Sequence, residues 1–201
     1  MIWSFLIASI LIELTPGPNM TWLAVLGAAQ GRRTALAAVA GICLGLSIAA
    51  LVAGVGLTAV LARWPVLFDA LRWVGTLYLF YLAWEAWTEA DGHTRVFNRS
   101  PVKAFEQGLI SNILNPKAYL FYAAMLPQFI SGTMEIVTKV ALLSAIYVMV
   151  ATVIHSGIAI LSGSVVTFLE TSPKAVTIRK ILALLIAVAA IWFFISTKVK
   201  L

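Results

Sequence analysis

Charged residues are scarce in this chain of 201 residues: Asp, Glu, Lys and Arg make up 11% of it, whereas 62% of the residues are hydrophobic. A soluble domain carries about a quarter charged residues, because its surface must meet water. The composition therefore excludes a soluble enzyme, a disordered region and a free-standing nucleic-acid-binding protein, although the net charge is +6. We interpret the basic excess against lipid, where Lys and Arg mark the cytoplasmic side of a membrane.

The sequence also lacks the residues and motifs that several kinds of catalytic and metal-binding site require. Cys43 is the single cysteine, which permits neither an internal disulfide nor a metal cluster built from cysteines. The sequence contains no HExxH motif, no GxSxG motif and no phosphate-binding GxxxxGKS/T motif. We therefore predict no enzymatic activity, no cofactor, no metal centre and no use of ATP by this chain.

Four stretches with few or no charges predict membrane-spanning helices. Residues 35–62 and 140–169 contain no charged residue, and both exceed the roughly 20 residues that a helix needs to cross the hydrocarbon core. Residues 181–197 form a shorter apolar stretch that ends beside Lys198. Residues 67–87 carry charges only near their ends, from which long side chains can reach the membrane interface.

Two further apolar segments are interrupted by proline. Residues 2–29 contain Glu13 and the run Thr15-Pro16-Gly17-Pro18-Asn19, and residues 107–134 contain Asn115-Pro116-Lys117. Proline removes a backbone donor and clashes with the preceding helical turn, so each helix should break or kink at this point.

The six segments form two sets of three, and in each set a broken segment is followed by two unbroken ones. Pro16 and Pro116 lie 100 residues apart, about half of the chain. The same shift also aligns Phe5 with Phe105, Ile10 with Ile110, and Leu14 with Leu114. A repeat of three spans is odd-numbered, so the second copy must enter the membrane from the opposite side. This plan recurs in secondary transporters, where broken helices form a central site.

The predicted fold is therefore an all-α integral membrane protein. It has six transmembrane helices in two inverted three-helix repeats, with the first helix of each repeat broken at proline. Residues 1–90 form the first repeat, residues 91–102 form the connecting loop, and residues 103–201 form the second repeat.

The distribution of basic residues predicts that both termini lie outside the cell, because loops rich in Lys and Arg stay in the cytoplasm. Five basic residues fall on the predicted outer side: Arg63, Arg72, Lys139, Lys198 and Lys200. Eight fall on the predicted inner side: Arg32, Arg33, Arg95, Arg99, Lys103, Lys174, Arg179 and Lys180.

Glu13 and Lys117 both lie beside the predicted breaks. Ionisable side chains at membrane depth are costly, and they usually mark the path of a substrate or an ion. We expect a site for a zwitterion here, in which Lys117 and exposed half-helix amides face a carboxylate and Glu13 faces an ammonium group. In the alternative, Glu13 and Lys117 pair with each other, or one of them reaches an interface.

Polar side chains near the breaks are further candidates for substrate binding. Asn19, Asn112 and Asn115 can contact substrate, or they can cap backbone groups that the breaks release. His155 lies midway along a charge-free run and, like Glu13, is a candidate for proton coupling, since an unperturbed histidine titrates near pH 6.5. A neutral histidine that forms a hydrogen bond between helices is the alternative.

A set of short motifs extends from about residue 5 to residue 130. The set consists of Thr15-Pro16-Gly17-Pro18-Asn19, Gly31-Arg32-Arg33, Gly41, Gly45, Gly75, Tyr78-Leu79, Tyr81-Leu82, Phe105, Gly108, Asn112, Asn115-Pro116-Lys117 and Leu126-Pro127-Gln128-Phe129. In these motifs the chain resembles the LysE/RhtB family of bacterial amino-acid exporters. The resemblance implies six spans in the cytoplasmic membrane and export of amino acids such as homoserine, threonine, leucine or lysine, driven by the proton gradient. It also implies that Pro16, Gly17, Pro18 and Asn19, together with Asn115, Pro116 and Lys117, are motif residues.

The leading hypothesis is an exporter that works by alternating access, with a small amino acid and protons as its partners and the lipid bilayer as its environment. One rival is a transporter of another small solute or a metal ion, for which only Glu13, Cys43 and His155 could supply ligands at membrane depth. The other rival is a membrane scaffold that transports nothing. The sequence does not decide whether the protein forms a homo-oligomer.

Overall fold

The computed structural model describes residues 2–14, 17–54, 65–90, 100–122, 126–129, 136–164 and 174–196, and within these ranges the chain is helical and contains no strand. In the described part of the chain seven α-helices follow one another, and a short 3-10 helix, Leu126–Phe129, lies between the fifth and the sixth. The α-helices are α1 (Ile2–Leu14), α2 (Pro18–Gly54), α3 (Pro65–Ala90), α4 (Pro101–Ile113), α5 (Pro116–Leu120), α6 (Ile136–Ser162) and α7 (Ala175–Ser196).

Both predicted breaks are confirmed. The first lies between α1, which ends at Leu14, and α2, which begins at Pro18. The second lies between α4 and α5, where the Asn115 side-chain oxygen accepts a hydrogen bond from the backbone N–H of Lys117 at 3.0 Å. Proline suits the first turn of a helix, because the backbone donor that it lacks has no partner there. The chain therefore stops one helix and starts the next within a few residues.

The helix α2 contains a sharp kink at Gly31, whose backbone angles are φ 83° and ψ 173°. Glycine adopts positive φ without steric cost, whereas other residues do so with difficulty. The first predicted span therefore continues directly into the second one, and Gly31 is the single residue at which the chain changes direction. We refer to residues 18–30 and 32–54 as the first and second parts of α2.

Among the described residues, three helical segments are long and apolar enough to cross a membrane: Asn19–Ala53, Ile136–Ser162 and Ala175–Trp192. The first of these contains the Gly31 kink. The helix α3 is also long, with 26 residues, but it carries three acidic residues and one basic residue, and it is not among these segments. An all-helical membrane architecture is thus confirmed, while the six-span arrangement and the repeat boundaries stay predictions.

Two charged residues of α3, Arg72 and Glu85, contact neighbouring helices. Arg72 is buried, forms an ion pair with Asp69 at 3.2 Å, and lies 4.4 Å from the centre of the Phe194 ring in α7. At the other end of α3, Glu85 forms an ion pair with Lys103 and accepts a hydrogen bond from Gln107 at 2.6 Å. These contacts fix α3 between α7 and the start of α4.

The helices α2 and α4 pack very closely because glycines face each other's backbones. A β-carbon on Gly41 would lie 2.8 Å from the backbone nitrogen of Leu109, and one on Gly108 would lie 3.1 Å from the α-carbon of Ala38. Small residues allow helix backbones to approach in this way. Gly41 and Gly108 therefore allow the close packing of α2 against α4.

Replacing Gly41 with alanine should destabilise the protein by about 1 to 3 kcal/mol, because the added methyl group must push backbone atoms of α4 away. The measurement is thermal unfolding of the purified protein in detergent, followed by tryptophan fluorescence. Gly157→Ala is the matched control: it is also a glycine in a long helix, and nothing lies within 4 Å of its added β-carbon. Equal melting temperatures for the two variants would contradict the packing argument.

Candidate functional site

A small buried cavity lies where the two breaks meet α6. The volume open to the centres of water molecules is about 20 Å³, which is room for one or two waters. Its walls combine ionisable, amide and apolar side chains. They are formed by Glu13, Gly17, Asn19, Met20, Leu46, Asn112, Asn115, Lys117, Ala118, Tyr147 and His155.

Glu13 ends the buried face of α1, and its side chain is held from α6. The residue is 4% exposed. Its Oε1 accepts a hydrogen bond from the Tyr147 hydroxyl at 2.5 Å, and its Oε2 lies 3.9 Å from His155 Nε2. Tyr147 and His155 can both reach it because they lie two helical turns apart on one face of α6.

Lys117 lies in the first turn of α5 and lines the same cavity. Its δ-carbon is 4.0 Å from the point at which a β-carbon on Gly17 would lie. The aliphatic stem of this lysine therefore runs beside the backbone of the first break, although the residue belongs to the second. The absence of a side chain at Gly17 leaves room for that approach.

A chain of hydrogen bonds links the two breaks. The Ser111 hydroxyl donates to the Asn19 side-chain oxygen at 2.6 Å, and the Asn19 amide donates to the Asn112 side-chain oxygen at 3.1 Å. All three residues are buried. Because Asn19 opens α2 and Asn112 closes α4, these bonds tie the start of one half-helix to the end of the other.

Most of the predicted site residues meet at this cavity. Pro116 is buried but is not part of the wall, and Pro16 lies outside the described residues, as does the side chain of Pro18, which begins α2. Asn115 acts as a helix cap, which was the alternative to substrate contact. The cavity wall includes Glu13, Gly17, Asn19, Asn112, Asn115, Lys117 and His155.

Sequence reasoning missed Tyr147 and Ser111. Tyr147 lies inside the charge-free run 140–169, whereas tyrosine in membrane helices is enriched at the interfaces. A tyrosine at mid-span was therefore a signal that its hydroxyl has a buried partner. Ser111 gave no comparable signal, because a serine hydroxyl in a helix often bonds to its own backbone.

The electrostatics of the cavity suit a small molecule with one positive and one negative group. Glu13 supplies a carboxyl group, Lys117 supplies an amine, and the asparagine amides supply both donors and acceptors. Charged groups in a membrane interior are costly unless they face a partner or a polar cavity. Placing an acid and a base in the same wall reduces that cost.

Comparisons with known proteins point to one family. A family model described as LysE type translocator matches residues 10–197, so the match includes the two last predicted spans, where the resemblance in the sequence is weakest. The homoserine/homoserine lactone efflux protein of Salmonella typhimurium is 30% identical over 175 residues, which cover 86% of this chain and 84% of that protein. The leucine efflux protein of Klebsiella pneumoniae is 28% identical over 176 residues, which cover 85% of this chain and 83% of that protein. No solved structure matches the chain.

The family match confirms the resemblance that the motifs predicted. It spans nearly the whole chain, and the relatives align over most of their own length. The apolar helices agree with a protein that is integral to the membrane. This chain therefore belongs to the LysE type translocator family, whose members are membrane transporters and not enzymes.

Proposed function

We propose that this protein is a secondary active exporter of a small amino acid across the bacterial cytoplasmic membrane. The observation that carries the proposal is the position of Glu13 and Lys117, which line one buried cavity although they come from different breaks of the chain. The family match and the efflux proteins among the relatives support it.

In the proposed complex, the substrate carboxylate faces Lys117 and the substrate ammonium group faces Glu13. Asn19 and Asn112 add amide groups on the same wall. Charge-assisted hydrogen bonds of this kind are roughly twice as strong as neutral ones, and more so away from water. The two charged ends of an amino acid would thus be held by groups from the two halves of the chain.

The remainder of the wall favours an uncharged side chain. Met20, Leu46 and Ala118 are apolar and line the same cavity. With Glu13 and Lys117 assigned to the ammonium and carboxylate groups, a charged substrate side chain would enter the site without a full counter-charge, which is costly in a buried environment. We therefore propose a neutral amino acid as the substrate.

We further propose six spans in two inverted repeats, with both termini outside the cell, residues 91–102 as the connection, and residues 1–90 and 103–201 as the repeats. The helix packing supports the inverted repeat: α1 contacts α6, α4 contacts α2, and α3 contacts α7. A two-fold axis in the membrane plane would exchange α1 with α4, α6 with the second part of α2, and α3 with α7. The contact of α1 with α6 would then map onto the contact of α4 with α2, and the contact of α3 with α7 would map onto itself.

Alternating access would occur around this cavity, with the two halves rocking against each other. The cavity as it stands has room for only one or two water molecules, so an amino acid can enter only after the half-helices separate. The hydrogen bonds between Asn19 and its partners Ser111 and Asn112 span the line of separation, and the kink at Gly31 supplies a corner at which backbone angles can change.

Proton antiport is the proposed energy source. Glu13 and His155 are both buried, and they lie 3.9 Å apart at the cavity wall. Either group can change its charge when water reaches the cavity from one side of the membrane. Protons moving inward would then drive the amino acid outward.

The test is reconstitution of the purified protein into vesicles with a panel of labelled amino acids. We expect at least one neutral amino acid to enter the lumen in exchange for the same unlabelled amino acid, and an acidic lumen to accelerate its entry. Basic and acidic amino acids should exchange at least tenfold more slowly. Exchange of a metal ion alone would favour the rival transporter, and a correctly inserted protein that moves no solute would favour a scaffold.

A further inference from the structure

Two residues of α6, Tyr147 and His155, face the Glu13 carboxylate. One oxygen accepts the Tyr147 hydroxyl at 2.5 Å, and the other faces His155 Nε2 at 3.9 Å. The three residues are each at most 4% exposed. A buried carboxylate in such a setting needs a counter-charge, a proton or strong donors, because isolated charge is costly away from water.

The other groups that face this carboxylate are few. Lys117 lines the same cavity from α5, and Tyr122, which follows α5, meets the ring of Tyr147 edge-on. From α2 and α4 the wall presents the neutral amides of Asn19 and Asn112. Within the described part of the chain, Glu13 is thus the one carboxylate of the cavity wall.

We propose that Glu13 is a shared site, at which the substrate ammonium group and the coupling proton bind one at a time, and that Tyr147 is the residue that positions its carboxylate. This rests on the proposed export of an amino acid. A carboxylate that holds a proton has no negative charge with which to bind an ammonium group, so each of the two ligands displaces the other. Such competition couples the two fluxes without a second proton site.

The charge balance of the cavity follows directly when His155 stays neutral throughout the cycle. With substrate bound, the charges of Glu13, Lys117 and the zwitterion sum to zero. With a proton in place of substrate, Glu13 is neutral and the cavity keeps the single positive charge of Lys117. Each cycle therefore releases one amino acid outside, takes up one proton there, and delivers that proton inside with one net positive charge.

Tyr147 is suited to positioning because its ring is fixed independently of its hydroxyl. The ring stacks on Phe121 with centroids 3.7 Å apart and an interplanar angle of 10°, and it meets Tyr122 edge-on at 5.7 Å. Tyr147→Phe should keep these contacts and remove only the hydrogen bond to Glu13. The proton should then compete better with substrate, because the charged carboxylate has lost a donor that favoured it.

The experiment measures the apparent affinity of the reconstituted protein for its amino acid from pH 5 to pH 9. For the unmodified protein, we expect the affinity to fall as the pH is lowered. At the acidic end of the range the fall should reach about tenfold for each unit of pH, as expected when one proton competes with the substrate for one site. Tyr147→Phe should weaken affinity roughly tenfold more than this at acidic pH and little at alkaline pH. Tyr81→Phe is the matched control, since Tyr81 is exposed on α3 and lies outside the cavity wall.

A second measurement tests the charge that moves. With no pH gradient, a lumen-positive potential set with potassium and valinomycin should drive the amino acid into the vesicles, to about fiftyfold accumulation per 100 mV for one charge per cycle. Accumulation that ignores the potential would overturn the proposed charge balance.

The outcomes separate this inference from the function on which it rests. If no amino acid exchanges at any pH, the proposed function fails and the shared site fails with it. If exchange occurs but affinity is the same from pH 5 to pH 9, the export function stands and the shared site is wrong. If Tyr147→Phe lowers affinity equally at every pH, Tyr147 contributes to folding or packing and does not position the carboxylate.

Discussion

Lys117→Ala is expected to abolish export while the protein still inserts into the membrane. Lys117 is the lysine of the cavity wall, and its stem lies beside Gly17 of the other break. Removing one partner of a buried, hydrogen-bonded charge pair costs about 2 to 5 kcal/mol, which corresponds to a loss in substrate affinity of at least about thirtyfold. The measurement is exchange of labelled amino acid in proteoliposomes at substrate concentrations near those that half-saturate the unmodified protein.

The control for Lys117→Ala is Lys174→Ala. Lys174 is exposed before the start of α7 and lies outside the cavity wall, so this variant should transport normally. Insertion is checked by the yield of membrane protein and by its elution as a single peak in detergent. Export at the rate of the unmodified protein by an inserted Lys117→Ala variant would disprove the assignment of the carboxylate-binding group.

Glu13→Gln is expected to separate substrate exchange from proton coupling. Glutamine has nearly the same shape as glutamate but holds no proton, so exchange down a substrate gradient should continue while stimulation by an acidic lumen disappears. Apparent affinity should fall about tenfold or more, because the ammonium group loses a charged partner worth about 1.5 to 3 kcal/mol. Both effects are read from one set of vesicles, with and without the imposed pH gradient.

Glu106→Gln serves as the control for Glu13→Gln, because Glu106 is an exposed carboxylate of α4 outside the cavity wall. It should leave both the affinity and the response to pH unchanged. A Glu13→Gln protein that still responds fully to the pH gradient would place the coupling proton elsewhere. His155 would then be the next residue to replace, since it is the other buried candidate at this wall.

Together the two variants test whether each half of the chain contributes one charged group to substrate binding. Glu13 comes from the end of α1 and Lys117 from the start of α5, so each break contributes one charge to the cavity. A site shared in this way can open only when one half moves relative to the other. The same movement would expose the two charges to water from one side of the membrane at a time.

The breaks and the charges beside them were predictable from the sequence. Proline has the same local effect in any helix, and an ionisable residue next to it stands out in a chain with 11% charged residues. The hydrogen bond from Ser111 to Asn19 was not predictable, because the partners are 92 residues apart and neither has a distinctive pattern around it.

The sequence by itself determined that this protein belongs in a membrane, where its helices break, and which ionisable groups lie beside the breaks. These features depend on composition and on backbone sterics, which act over a few residues. Only the tertiary structure decided that Tyr147 holds the carboxylate of Glu13 and that Lys117 lies beside Gly17. Such contacts depend on how α1, α5 and α6 pack and rotate against one another, and that packing is set by many weak apolar contacts between residues far apart in the chain.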